Sequence, residues 1–169
     1  MSADPPIFAR PETRQPDADD ARGDIWVVLQ VLAGLAVLVV GACGPRPRRA
    51  RRLRRTAGLV LGIFGVVAIM TARRNLGDAF SVFPRPRQGT AVAEEGAYRV
   101  VRHPMYTGVL AQAAAICVAG SPWAAVPAGA LAVVLDRKSA VEEARLVRTH
   151  PGFAAYGRRT RWRFFPGVR

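Results

Sequence analysis

The chain has little of what most soluble active sites are built from. Its 169 residues include two cysteines, two histidines and a single lysine, Lys138. Cys43 and Cys117 lie in or beside apolar runs and show no metal-type spacing, so neither a metal centre nor a structural disulfide is expected. Val40-Gly41-Ala42-Cys43 only faintly resembles a lipoprotein processing site, because the stretch before it is long and acidic where a signal peptide is short and basic. Acidic residues are also scarce, 12 against 25 basic ones, giving a net charge of +13. No internal repeat is present. Charge is missing altogether from four apolar runs, roughly 25–43, 57–72, 104–121 and 123–135. Uncharged runs of this kind read as membrane helices, since about 20 residues cross the hydrocarbon. The first run is long enough, whereas the second and fourth fit tilted, thinned-membrane or re-entrant segments.

What the chain has in plenty is arginine, and it crowds the gaps between those runs. Strong basicity raises nucleic acid as a partner. These arginines flank apolar spans, however, and do not line a soluble helix or an aromatic-bearing sheet. Anionic lipid headgroups are therefore the expected counter-charge, and nucleic acid is not.

Residues 1–24 hold six acidic residues, three arginines and four prolines, with little apolar surface to bury. Disorder is expected there, with Asp24 capping the first helix. That helix runs from Ile25 to about Cys43 and stops at Gly44-Pro45. Loop 44–55 carries seven arginines, and residues 73–103 carry six more. The uncharged turn Gly120-Ser121-Pro122-Trp123 belongs outside by the positive-inside rule, which puts 73–103 and the C-terminal tail in the cytoplasm. Loop 44–55 is then either external, or its following segment does not cross. Residues 84–90, with two prolines, exclude regular helix. Irregular backbone near a membrane is tolerated where it is wet or lines a site. A last helix should continue from Ala124 toward Arg148, leave the bilayer near Asp136 and end at His150-Pro151-Gly152.

The expected fold is an all-α integral membrane protein of about four transmembrane or re-entrant helices, with a C-terminal helical hairpin. Three regions divide it: a disordered acidic tail over 1–24, N-terminal membrane helices over 25–72, and a core over 73–169.

Two polar constellations bracket that hairpin. In the first, Pro104 suits the first turn of a helix, which places His103 at or near its N-cap beside Arg102. Free amide donors and the helix dipole favour an anionic group at that spot, and Tyr106 lies one turn further in. The plainer account is a basic membrane anchor with an interfacial tyrosine. In the second, Lys138, Glu142 and Arg145 share one helix face. That face fits either an exposed salt-bridge ladder or a carboxylate for a ligand's ammonium or ribose hydroxyls, paired with a cation for an anionic substrate. The tail beyond it, Phe153 to Gly167, interleaves aromatics with arginines as interfacial anchors do.

In this order and spacing the segments resemble the isoprenylcysteine carboxyl methyltransferase and phospholipid methyltransferase superfamily of membrane enzymes. The resemblance covers about residues 73–169. It runs from Arg74-Asn75-Leu76-Gly77 through Gly96-Ala97-Tyr98-Arg99-Val100-Val101-Arg102-His103-Pro104-Met105-Tyr106-Thr107-Gly108, then Lys138 and Glu142-Glu143-Ala144-Arg145-Leu146, to Pro151-Gly152-Phe153-Ala154-Ala155-Tyr156 and Phe165-Pro166-Gly167.

The resemblance implies S-adenosylmethionine as cofactor, held at the cytoplasmic membrane face, and methylation of a lipophilic isoprenoid or lipid acceptor, most simply a carboxylate. By matching position, Thr90, Ala91, Val92 and Ala93 would border the cofactor through backbone. Tyr98, His103, Pro104, Met105 and Tyr106 would form its main pocket, and Glu142 would close it. Lys138 stands where related enzymes often place an arginine for the substrate's anionic group, and it keeps the charge without the planar fork. The region before residue 73 is shorter than in fuller members, and Phe153 occupies a position often held by tyrosine. With the Arg and Ala bias of a GC-rich genome, the expected location is a bacterial cytoplasmic membrane. Two rival functions stand beside this one: an NADPH-dependent membrane reductase of the sterol-reductase type, and a non-catalytic protein that binds anionic lipid.

Overall fold

A computed structural model describes residues 18–76, 94–150 and 152–168. Five α-helices follow one another: α1 (Ala18–Cys43), α2 (Arg51–Leu76), α3 (Pro104–Ala119), α4 (Ala125–Thr149) and the short α5 (Phe153–Arg159). Single 3-10 turns, Gly96–Arg99 and Pro122–Ala124, lead into α3 and α4. Among the described residues there is no strand, only an isolated parallel bridge between Val101 and Trp162.

Several expected boundaries hold and two move. α1 stops at Cys43 before Gly44-Pro45, Pro104 opens α3 with His103 at its N-cap, and α4 ends at Thr149. The first correction is at the start of α1, which begins at Ala18, so Asp24 lies inside the helix and not at its N-cap. Asp19 and Asp20 follow Ala18 in the sequence, where negative charge favours a helix N-terminus. The second is loop 44–55, whose latter half is the first turn of α2. Arginine is a good helix former, and Pro47 lies just upstream of the start.

Among the described residues, α1 and α2 are the two helices long and apolar enough to cross a membrane, with spans Asp24–Cys43 and Arg51–Leu76. Val28, Leu32, Leu35 and Val39 on α1, and Leu59, Ile63, Phe64 and Val67 on α2, are all about half exposed or more. The core helix of a soluble protein would bury that surface; helices facing lipid leave it outward. α3 spans 16 residues, and the apolar part of α4 ends at Leu135, before Asp136-Arg137-Lys138.

The four long helices alternate in direction. A side chain at Gly58 would collide with Ala119, and one at Gly65 with the Gly108 carbonyl, so α2 runs antiparallel to α3 along a seam of small residues. Without a hydrophobic force between lipid-solvated helices, such close backbone approach supplies the packing. At the end of α1, the Ser121 amide donates to the Gly41 carbonyl at 3.2 Å, while α4 returns beside α1 to place Lys138 against Gln30. Between the helices Val37, Tyr106, Ala113, Ala124, Leu131 and Leu135 form the core.

This alternation gathers the polar segments at two ends. Residues 94–103, the polar half of α4, α5 and residues 160–164 lie at one end. Residues 43–55 lie at the other with the turn at 120–124. There Arg54 points inward and donates to the carbonyls of Val118 and Gly120, both at 2.9 Å, near the C-terminus of α3. Helix C-termini leave carbonyls without intrahelical partners, and a cation there also opposes the dipole.

Candidate active site

His103 is the N-cap of α3, yet its side chain makes no capping hydrogen bond. The ring turns across to α4 instead. Its Nε2 lies 3.1 Å from Glu143 Oε1, and its Nδ1 lies 3.8 Å from Glu142 Oε2. One helical turn on, the Tyr106 hydroxyl donates to Glu142 Oε1 at 2.7 Å. The His103 and Tyr106 rings stack, with centroids 5.4 Å apart and planes 6° off parallel. Phe164 meets both edge-on at 6.0 Å.

Lys138 reaches the same group from one turn earlier on α4. Its Nζ is 4.0 Å from Glu142 Oε1 and 5.3 Å from the centre of the Tyr106 ring. It also donates to Gln30 Oε1 at 2.9 Å. This lysine is buried, with Gln30, Glu142 and the aromatic face supplying its polar surroundings.

Glu143 anchors the opposite side. Arg102 Nε donates to its Oε1 at 2.8 Å, and Arg163 donates to both its oxygens at 3.3 Å. Arg163 also reaches Asp136 at 2.7 Å. Burial raises the Glu143 carboxyl, but contact with His103 and then with Arg102 outweighs it and holds the group at about 2. Burial similarly lowers Arg163, but Glu143 and Asp136 outweigh it, so its guanidinium sits above the usual value.

The C-terminal segment locks these residues in place. The amides of Arg102 and His103 donate to the carbonyls of Trp162 and Arg163 at 2.9 and 3.0 Å. The Thr107 hydroxyl donates to the carbonyl of Phe164. Nearby, the Tyr156 hydroxyl donates to the Tyr98 carbonyl at 2.9 Å. Burial, then the charges of Tyr156 and Glu142, push the Tyr98 phenol well above its ordinary range. At the entry to this region, Asn75 on α2 donates to the carbonyl of Glu95 at 3.0 Å. Gly96 follows with φ of 59°, where an added side chain would run into Asn75.

Of the residues expected at the site, His103, Tyr106, Lys138 and Glu142 meet directly. Pro104 and Met105 occupy the first turn of α3, and Tyr98 stands beside it. Thr90, Ala91, Val92 and Ala93 lie outside the described residues. Gln30, Asp136, Arg163 and Phe164 were not anticipated. Gln30 had a signal, being the lone amide in the apolar run from Ile25 to Cys43, where a polar group is costly without a role. A pocket of about 370 Å³ opens on the far side of Glu143, lined by Arg102, Arg163, Ala144, Val147 and Phe153 among others. It does not include His103, Tyr106 or Glu142. Among the described residues no cluster of His, Cys, Asp or Glu is fit to hold a metal ion.

With this cluster at one end of an apolar bundle, comparison with known proteins decides the family. The model of the phospholipid methyltransferase family matches residues 53–151. The chain belongs to that family. It thereby falls in the superfamily that also includes the isoprenylcysteine carboxyl methyltransferases, membrane enzymes that generally use S-adenosylmethionine. The matched residues carry α2 to α4 and with them His103, Tyr106, Lys138 and Glu142. Membership makes the chain a membrane methyltransferase. No curated protein and no solved structure matches it.

Proposed function

We propose that the protein transfers a methyl group from S-adenosylmethionine to a lipophilic acceptor, most simply an isoprenoid or lipid carboxylate, at the membrane surface. The observation that carries this reading is the meeting of His103, Tyr106, Lys138 and Glu142 where the apolar belt gives way to polar helix ends. The residues suit that cofactor. Glu142 is partly open, and its Oε2 stands 3.8 Å from His103 Nδ1, too far for a hydrogen bond. That oxygen is left to accept from an ammonium or a ribose hydroxyl. The stacked His103 and Tyr106 rings offer a flat apolar face, and a tyrosine face also attracts a cation.

S-adenosylmethionine, when bound, supplies an electrophilic methyl group on a sulfonium. What this chain adds is position. Methyl transfer is an in-line displacement, helped chiefly by holding the two reacting atoms in near-attack geometry. Lys138 holds the acceptor's anionic head, and the exposed apolar faces of α1 and α2 leave its tail in lipid. A carboxylate needs no general base, and His103 is already engaged by Glu143. All four long helices cross or enter the bilayer in this reading, α3 and the apolar part of α4 as short spans. The end bearing His103 also bears more arginines than the opposite end, and the positive-inside rule assigns it to the cytoplasm.

Isothermal titration of the detergent-solubilised protein tests the proposal. S-adenosylmethionine and its demethylated product should both bind, and Glu142→Ala and His103→Ala should each weaken that binding by about a hundredfold. Binding of NADPH alone would replace the methyltransferase with a reductase. Silence from all three ligands in folded protein would leave only a lipid-binding role.

A further inference from the structure

The end of the bundle opposite the site carries a charge pattern that methyl transfer leaves unused. Seven of the ten residues from Arg46 to Arg55 are arginine. Arg54 turns inward to α3, whereas Arg48, Arg49, Arg51, Arg52 and Arg55 are exposed. No Asp or Glu occurs between Asp24 and Asp78, or between Glu95 and Asp136, so the helix ends and turns there hold no carboxylate. Arg46 and Arg54 donate to backbone carbonyls, but the five remaining arginines repel one another, and an anion from outside the chain would relieve that repulsion.

Two further observations say what kind of anion. Leu53, 71% exposed, sits among the arginines, and Trp123, 64% exposed, lies in the turn at the same end. A surface for a soluble polyanion gains nothing from a protruding leucine, whereas a bilayer interface accommodates the leucine and the tryptophan together. The spacing agrees. Seventeen uncharged residues separate Arg55 from Arg73 on α2, a rise of about 26 Å. That is slightly less than the roughly 30 Å of hydrocarbon in a bilayer. The two groups of arginines therefore fall at opposite headgroup levels, within reach of phosphate on side chains that extend along the apolar surface.

We propose that Arg48, Arg49, Arg51 and Arg52, with Arg55, form a binding surface for the phosphates of anionic phospholipids in the leaflet opposite the active site. Guanidinium suits this ligand, because its planar fork pairs two donors with two phosphate oxygens. The surface has its own task, separate from the site. It draws acidic lipid to the far leaflet and fixes the depth of α2, and through the α2–α3 seam it sets the level at which His103 meets the near interface. The proposal rests on the membrane-embedded reading of the bundle and not on methyl-transfer chemistry.

The test places the full chain in nanodiscs of phosphatidylcholine with a minority of phosphatidylglycerol, and reads the lipid retained around the protein by native mass spectrometry. Wild type should retain phosphatidylglycerol preferentially. R48Q/R49Q/R51Q/R52Q should lose at least about tenfold of that preference, since each basic residue near the surface adds to the attraction. The matching four-lysine variant should keep most of it, and also shows that the turn still folds. Arg54 stays intact in both, and S-adenosylmethionine affinity should not change. Equal retention by wild type and the glutamine variant would overturn the proposal. So would a soluble oligonucleotide that strips the lipid from wild type, which would assign the patch to an aqueous polyanion. Failure of wild type to enter any bilayer would instead remove the embedded reading, while leaving the cofactor titration to judge the chemistry.

Discussion

At the end of the bundle bearing His103, Arg102 and Arg163 face carboxylates, sharing Glu143 between them while Arg163 also holds Asp136. At the opposite end Arg54 faces only carbonyl dipoles, and its neighbours face outward with no carboxylate nearby in the sequence. The same residue type does two kinds of work. Where acids are present, arginine fixes geometry, because a bidentate partner restricts where both side chains sit. Where they are absent, arginine leaves charge available to a partner outside the chain. Composition alone gives both ends the same description.

Four experiments would break or sharpen that contrast. The largest effect is expected at the site. Glu142→Ala removes the carboxylate that accepts from Tyr106 and pairs with Lys138, and S-adenosylmethionine affinity should fall about a hundredfold, in the range of a lost charge-assisted hydrogen bond.

Next comes acid. The Glu143 carboxyl is depressed in the folded protein, from an ordinary 4.5 to about 2, so its contribution is complete above 4.5 and fades as the pH falls toward 2. On the order of 2–3 kcal/mol should disappear across that window, seen as a falling melting temperature in detergent. Arg163→Met should shrink the loss by removing one of the partners that hold the carboxylate.

Arg54→Met should cost about 1–2 kcal/mol at any pH, because its partners are carbonyls that do not titrate. Arg54→Lys, with a single ammonium in place of the fork, should recover only part of it. If instead the Arg54 variant melted with an acid-dependent profile, the division between the two ends would fail. The smallest effect is expected for Gln30→Leu. Stability should change by less than about 1 kcal/mol, cofactor binding should hold, and turnover on a carboxylate acceptor should drop a few-fold as Lys138 loses its brace.

Local features of the fold were legible in the sequence. Gly44-Pro45, Pro104 and His150-Pro151-Gly152 each mark a helix boundary, because proline and glycine act on their own few residues. The i to i+4 spacing of Lys138 and Glu142 was readable for the same reason. What could not be read was the identity of distant partners. Arg54 finds α3 more than sixty residues away, Lys138 finds Gln30 across 108 residues, and Arg102 finds the carbonyls of Thr160 and Arg161. The side on which 44–55 lies depends on such a contact. An arginine count could not show that the loop shares an end with Gly120, whereas the Arg54 bonds do. The Glu-Glu pair held a further ambiguity: spacing put Glu142 on the face of Lys138, but left Glu143 without its role of fixing His103 and both arginines.

The tail that pairs with Arg102 and His103 also sets when the site can exist. Thr107 and its partner Phe164 are 57 residues apart, so the groups that clamp His103 are synthesised long after it. At about 5–20 residues per second, that gap is roughly 3–11 s of elongation. When Thr107 is made only α1 and α2 are complete; α3 and α4 follow within that interval, and the segment that clamps His103 comes last. Order of synthesis thus leaves the candidate site without its clamp until every membrane-length helix has been made.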